Sequence, residues 1–171
     1  MSLLKQIEDK GAVLEWSPVA QHANLVALGT KDSTGAGFDD HGGELELHSL
    51  DFKDAKRSNS TLLGKARANS RFSSIAWSQM ANAQDLYPYG LIAGGMVDGN
   101  IHVWDASKLA TGDPESLLAS VEQHQGAICG LHFNPHRESS HLLASGGSDA
   151  EVYVTSLEHP DQPSVFIPAP P

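Results

Sequence analysis

Apolar and polar positions alternate along this chain in short runs, and the runs recur. The clearest is "LIAGGMVDGNIHVWDASKL", from Leu91 to Leu109. Leu91 to Ala93 is a short apolar run that predicts a strand. Val97-Asp98-Gly99-Asn100 predicts a tight turn, because glycine accepts positive φ without steric cost. Ile101 to Asp105 then alternates, with Ile101 and Val103 facing one way and His102 and Trp104 the other. "HLLASGGSDAEVYVTSLEH" (His141 to His159) has the same layout, with Ser148-Asp149 in place of Val97-Asp98. A third copy is split: "NLVALGT" (Asn24 to Thr30), a loop rich in Gly and Asp, then "GELELHSLDF" (Gly43 to Phe52). Each copy follows an apolar strand that ends in an aromatic residue: Trp16 before Ser17-Pro18, Trp77 before Ser78, and Phe133 before Asn134-Pro135.

The pair Trp104-Asp105 closing the last strand of the clearest copy is the signature of a WD repeat, the unit of a β-propeller blade. In the last copy Thr155-Ser156 stand in its place. The aromatic positions 16, 77 and 133 are 61 and 56 residues apart, more than the ~40–45 usual for this repeat, and the excess sits in polar loops. The predicted fold is therefore all-β, a partial propeller of about three four-stranded blades. Blade 1 takes about residues 8–66, with strands at Val13 to Trp16, Leu25 to Gly29, Leu45 to Ser49 and Leu62 to Ala66. Blade 2 takes about 70–122, with strands at Ser74 to Trp77, Leu91 to Ala93, Ile101 to Trp104 and Leu117 to Val121. Blade 3 takes about 124–168, with strands at Ile128 to Phe133, Leu142 to Ser145, Glu151 to Thr155 and Ser164 to Ile167. Residues 1–7 supply a ring-closing strand, Leu3 to Ile7. "FKDAKRSNS" and "RANSRFSS" read as surface connections, and "ASKLATGDPES" as the lead into an outer strand. The stretches from Thr30 to Gly43 and after Pro168 are expected to be partly disordered.

Three blades do not make a closed ring, since closure takes about four to eight. The flanks of blades 1 and 3 are then bare apolar sheet faces, which are aggregation hazards. The expectation is a part of a longer chain; the alternative is association of the three blades with copies of themselves.

Composition narrows the function. A formal net charge of −10 argues against nucleic acid or anionic lipid as a direct ligand, because both require basic patches. The single cysteine, Cys129, excludes a disulfide framework within one chain and is expected as a small buried thiol, in keeping with the cytosol. No apolar run approaches ~18 residues, and the N-terminus carries no signal-peptide pattern. Nine histidines raise the question of metal. His132 and His136 straddle a strand end and the Asn134-Pro135 turn, so they do not share a face, and His41 and His48 flank a strand. No cofactor and no metal are expected. No nucleophile elbow surrounds Ser17, Ser78 or Ser145, and Gly35-Ala36-Gly37 opens no helix, so neither catalysis nor dinucleotide binding has support.

WD repeats share a hydrogen-bonded set of a histidine, a turn aspartate, a strand Ser/Thr and the strand tryptophan. By position His124, Ser145 and Asp149 match it in blade 3, where Thr155 replaces the tryptophan. Asp98 and Trp104 match it in blade 2, where Gly94 replaces the serine and Ala68 stands near the histidine's place. These five residues, Asp98, Trp104, His124, Ser145 and Asp149, are expected to be scaffold rather than active site.

Taken together, Trp16-Ser17-Pro18, "NLVALGT", "ELELHSLDF", "FSSIAWS", "GLIAGGMVDGNIHVWDASKL", "HQGAICGLHFNP" and "HLLASGG" resemble, in order, the opening of the large outer-coat subunit of COPII, the Sec thirty-one family of vesicle coat proteins. The resemblance runs from about Leu3 to Phe166. It implies a structural scaffold in vesicle budding and transport from endoplasmic reticulum to Golgi, on the cytoplasmic face of the endoplasmic reticulum membrane and on coated vesicles. Family members carry a seven-bladed N-terminal propeller. A blade donated to a smaller WD-repeat partner follows, then a helical rod, then a proline-rich region that engages the inner coat and its GTPase. The implied partners are that smaller subunit and other coat propellers, with the inner coat reached only through regions that have no counterpart here. Membrane association is peripheral, through the coat. The rival readings are a generic WD-repeat adaptor, such as a ubiquitin-ligase substrate receptor, and an enzyme on a propeller scaffold. A helical rod after the propeller would separate the coat from the adaptor; convergent polar residues at the central channel would mark the enzyme.

Overall fold

The computed structural model describes residues 7, 11–30, 42–53, 59–80 and 86–166. Short apolar runs separated by polar turns fold here as three antiparallel meanders, each strand pairing with the next in sequence. Blade 1 comprises β1 (Ala12–Trp16), β2 (Leu25–Thr30), β3 (Gly43–Ser49) and β4 (Thr61–Ala68). Blade 2 comprises β5 (Phe72–Ser78), β6 (Leu91–Met96), β7 (Asn100–Asp105) and β8 (Leu117–Glu122). Blade 3 comprises β9 (Ile128–Phe133), β10 (Leu142–Gly147), β11 (Val152–Ser156) and β12 (Ser164–Phe166). The fold is all-β, and the three sheets do not close a ring. Of the predicted ring-closing strand, residues 3–6 lie outside the described residues; Ile7 packs against Val26, Leu28 and Leu50 of blade 1. The tip of the predicted last strand, Ile167, lies outside them too, as do residues 31–41.

The middle blade shows why its strands read as they do. Every residue of β6 is buried, so both of its faces meet protein, which explains an apolar run without polar alternation. Alternate side chains go to different neighbours. Ile75, Trp77, Ile92 and Trp104 join Ala27, Leu45 and Leu47 of blade 1 in one core. Ala76, Leu91, Ala93, Ile101 and Val103 join Ile128, Phe133 and Leu143 of blade 3 in the other. Period-2 patterning therefore becomes two seams, one on each side of a single sheet.

Glycines in the second strand of each blade admit the first strand of the next. A side chain at Gly29 would collide with the Phe72 ring of blade 2, and one at Gly95 with Ile128 of blade 3, while one at Gly94 would collide with Phe72 and Trp104 of its own blade. Register confirms the correspondence: Gly29 pairs with Leu45 as Gly95 pairs with Ile101. Phe72 and Ile128 are equivalent too, since they pair with Met96 and Gly147 at the same places in β6 and β10. The segment "RANSRFSS" is thus not a surface connection. Its Phe72 is almost fully buried and stacks near Trp104, with ring centroids 5.8 Å apart.

The first strands of blades 2 and 3 each carry a bulge that skips one residue, Ser73 and Cys129 respectively. This corrects the expectation for the thiol: as the extra, unpaired residue of a bulge, Cys129 is exposed. A second difference lies in "ASKLATGDPES". It contains α1 (Ala106–Ala110), started by Asp105, whose Oδ1 accepts hydrogen bonds from the backbone N–H groups of Ser107 at 2.8 Å and Lys108 at 3.3 Å. That is the N-cap geometry a carboxylate favours. Leu109 of α1 joins the blade 1–blade 2 core, and Gly64 of β4 leaves room for the Leu109 carbonyl.

Removing the Phe72 ring empties the seam between blades 1 and 2. Phe72→Ala is expected to destabilise the protein by about 3–5 kcal/mol, read as a fall in the denaturant midpoint. An unchanged midpoint would mean that the seam does not hold the two blades together.

Candidate functional site

Register places one residue of each blade's third strand at the same point: His48, Trp104 and Thr155, paired with Val26, Ile92 and Leu143. Two residues earlier stand Glu46, His102 and Tyr153. Those of blades 2 and 3 lie on the seam-facing side of their sheets, while Glu46 and His48 share the Val26–Leu28 face of blade 1, outside both seams; each blade satisfies the polar ones differently.

In blade 3 the chain brings His124, Ser145 and Asp149 together. The His124 Nδ1 lies 3.0 and 3.1 Å from the two carboxylate oxygens of Asp149, and its Nε2 lies 3.0 Å from the Ser145 hydroxyl. A carboxylate only accepts, so the neutral imidazole carries its proton on Nδ1 and accepts the serine hydroxyl on Nε2. Asp149 also accepts the backbone N–H groups of Gln125 at 2.9 Å and Glu151 at 3.1 Å, pinning its own turn and the connection from blade 2. Burial pushes the Asp149 carboxyl up, but the bonds from His124, Gln125 and Glu151 outweigh it and hold it down at about 2. Tyr153 sits edge-on to His124 at 4.9 Å, and Thr155 donates to the side-chain carbonyl of Gln123.

Blade 2 lacks this set. Asp98 stays in the turn, where it accepts only the backbone N–H of Asn100 at 3.1 Å, and Gly99 there has φ of 92°. Among the described residues neither the buried indole N–H of Trp104 nor the buried Nδ1 of His102 has a hydrogen-bond partner. The structure therefore does not bring Asp98 and Trp104 into one network. Burial lowers the His102 pKa, against a smaller upward pull from Asp98. What locks this turn is the next connection: the backbone N–H of His124 donates to the Gly99 carbonyl at 3.2 Å.

Blade 1 carries a third arrangement. His48 lies inside β3 rather than beside a strand, and is buried. Its Nε2 is 3.0 Å from the Glu46 carboxylate and its Nδ1 2.9 Å from the Ser60 hydroxyl. Sequence reasoning missed this set, although "ELELH" shows Glu46 and His48 on one face. His41 lies outside the described residues.

A smaller repeat sits where each first strand ends. Ser17, Ser78 and Asn134 each accept the backbone N–H two residues on, from Val19, Met80 and His136 at 3.2, 3.1 and 2.9 Å. The Ser78 hydroxyl also donates to the Ser140 carbonyl of blade 3. Nearby, Glu15, Ala76 and His132 border an open cleft of about 360 Å³ where the first strands lie side by side. Burial raises the Glu15 pKa there, with the Trp16 backbone and His132 pulling the other way. Among the described residues no group of three His, Cys, Asp or Glu is placed to hold a metal ion, and no helix is long and apolar enough to cross a membrane.

Sheets of four strands seamed face to face, with a Trp-Asp pair in one and a histidine–serine–aspartate set in the next, define a segment of a WD-repeat propeller. The chain is 36% identical to the protein transport protein SEC31 of Dictyostelium discoideum over 98% of its own length, and 31% identical to Sec31A of Danio rerio over 94%. It is 38% identical to SEC31 homolog B of Arabidopsis thaliana over 71%. The chain belongs to the SEC31 family. It spans 11–12% of the length of these relatives. No protein-family model matches it. In fold it is similar to a chain of the COPII outer-coat vertex on membranes, with a TM-score of 0.65 and 21% identity over 95% of this chain and 39% of that one. A chain of a mitotic checkpoint complex is similar at a TM-score of 0.59 and 18% identity, over 96% of this chain and 41% of that one.

Asp149 is held as a carboxylate by donors that the unfolded chain does not offer. Its contribution to stability is full above its ordinary value of 3.8 and is lost as pH falls through about 2. Asp149→Asn should therefore be less stable than the wild type at neutral pH, with the gap closing across that acid window in a series of unfolding curves. Ala150, at the place of Gly99, has φ of 65°. Ala150→Gly should raise stability by about 1 kcal/mol by relieving left-handed strain, read as a rise in Tm; a fall would show that the turn carries no such strain.

Proposed function

We propose that this chain forms opening blades of the outer-coat propeller of a COPII-type vesicle coat and acts as a scaffold without catalysis, in transport from endoplasmic reticulum to Golgi. The observation that carries this reading is the 36% identity to a SEC31 protein across nearly the whole chain; the outer-coat vertex fold agrees with it. Rigid sheets seamed through two apolar cores suit a part that transmits load. Many weak contacts between such parts suffice in a cage, because multivalency multiplies them.

In this reading the partners are proteins: other coat propellers and a smaller WD-repeat outer-coat subunit. The inner coat is met by other regions of the family's long chain. The net charge of −10 supports protein partners over anionic lipid or nucleic acid, and in this reading the chain sits on the cytosolic side in the outer layer. Blade boundaries near 8–66, 70–122 and 124–168, with residues 1–7 closing the ring, belong to the same proposal. His124, Ser145 and Asp149 hold the blade 3 turn, while Asp98 and Trp104 serve the blade 2 turn and core, so all five are scaffold.

Fractionation tests the role. An antibody against residues 105–122 should detect the endogenous protein on early-secretory membranes, and should co-precipitate a smaller WD-repeat subunit. Signal confined to the soluble fraction, without that subunit, would remove the coat role.

A further inference from the structure

Where the first strands of the three blades lie side by side, the open cleft of about 360 Å³ is walled by all three blades. One residue before each closing aromatic stand Glu15, Ala76 and His132, paired with the equivalent Ala27, Ala93 and Ala144. Ala76 is small, so the middle of this row is a notch with Glu15 and His132 on either side. Glu15 shares its face of β1 with Val13, which packs on the core between blades 1 and 2, so it lies inside the array and not on its outer flanks. Pro18, Pro135 and Arg137 join the cleft from the turns that follow. Those turns are braced by Ser17, Ser78 and Asn134. Trp77, also in the cleft, is fixed by its indole N–H, which donates to the Tyr89 carbonyl at 2.8 Å. The site is formed before any ligand arrives, as binding clefts usually are. Its charges are not paired within the chain. Among the described residues neither Glu15 nor Arg137 forms an ion pair. Glu15 accepts a hydrogen bond from the Trp16 backbone, and burial raises its pKa; the carboxylate has given up water without gaining a cation.

We propose that this cleft docks an extended peptide segment of a partner protein, with a basic side chain on Glu15 and an acidic side chain on Arg137. Two unpaired charges of opposite sign, set on blades 1 and 3, call for a ligand that carries both signs along its length, and a peptide does. A bare cation would leave Arg137 unanswered. A nucleic acid or an anionic lipid would meet Glu15 with like charge. The notch at Ala76 and the apolar edges of Pro18, Trp77 and Pro135 take the stem of the basic residue, since a Lys or Arg side chain is apolar up to its head. The inference does not rest on the coat reading. The cleft needs only blades 1 to 3, and peptide binding and fractionation fail separately.

Fluorescence anisotropy with a labelled peptide of repeating Arg-Ala-Asp-Ala tests it. The purified chain should bind this peptide saturably, with a Kd of about 0.1 mM or tighter. Glu15→Gln and Arg137→Gln should each weaken binding about tenfold. Glu15→Lys should reject this peptide and bind one of repeating Glu-Ala-Asp-Ala instead, a reversal that loss of folding cannot produce. Circular dichroism checks that each variant folds; Arg137 is exposed, so its variant keeps the test standing if those of Glu15 do not. Glu122→Gln, at the far end of β8 opposite Asn100, should leave the Kd unchanged. No saturable binding at millimolar peptide overturns the proposal. So does a loss with Glu122→Gln equal to that with Glu15→Gln, or a peptide of repeating Arg-Ala-Ala-Ala bound as tightly as the mixed one.

Discussion

The contact on which the rest depends is the insertion of one blade's first strand into the glycine-lined second strand of the blade before it. Phe72 lies over Gly29 and Ile128 over Gly95. Cβ atoms at these glycines would hold the sheets apart, and the alternating side chains of β6 and β7 would no longer reach both neighbours. Close-packed interiors tolerate little such displacement. A four-stranded sheet has two faces to cover and little core of its own. Stability in such an array is close to a sum of blade and neighbour terms, and here the neighbour term is set by a few atoms at a glycine.

The polar sets of the three blades are secondary to that packing, and they vary. Blade 3 holds its turn with His124, Asp149 and Ser145. Blade 1 uses Glu46, His48 and Ser60 at other positions. Blade 2 has no such set and leaves the Trp104 N–H unpartnered. An unpaired buried donor costs roughly 1–3 kcal/mol, comparable to what burying one large apolar side chain returns. The middle blade sustains this because both of its faces are covered. Blade 3 has the fullest hydrogen-bonded turn of the three.

Strand order and blade count were legible in the sequence because period-2 alternation and turn chemistry are local. Asp98-Gly99 marks its turn whatever surrounds it. The glycine sockets were not legible, because nothing local says that Gly29 and Phe72 will meet. Phe72 was misread for the same reason: "RANSRFSS" is polar around one aromatic, and only the seam makes that ring core. Cys129 was misplaced by a bulge, which shifts facing by one residue and leaves no mark in composition. The blade 3 set was readable from spacing, since His124, Ser145 and Asp149 keep the repeat's places. The blade 1 set was not, since it departs from them.

Asp105, the aspartate of the Trp-Asp pair, stands outside the turn network and has a job of its own. Its carboxylate starts α1, and α1 lays Leu109 into the core shared with blade 1. The residues at its place in the other blades, Ser49 and Ser156, make lesser side-chain bonds, from Asn24 and from the Glu158 backbone. The Trp-Asp pair of blade 2 therefore does two separate jobs here. The tryptophan fills the seam with its ring, and the aspartate caps a helix that packs on the same seam from the outside. Neither job needs the histidine or the serine, so their replacement by Ala68 and Gly94 leaves the pair's structural value intact. Gly94 improves it, because a side chain at that position would collide with both the Phe72 and Trp104 rings. In this blade Gly94 gives the Phe72 and Trp104 rings of the same sheet room to pack over it.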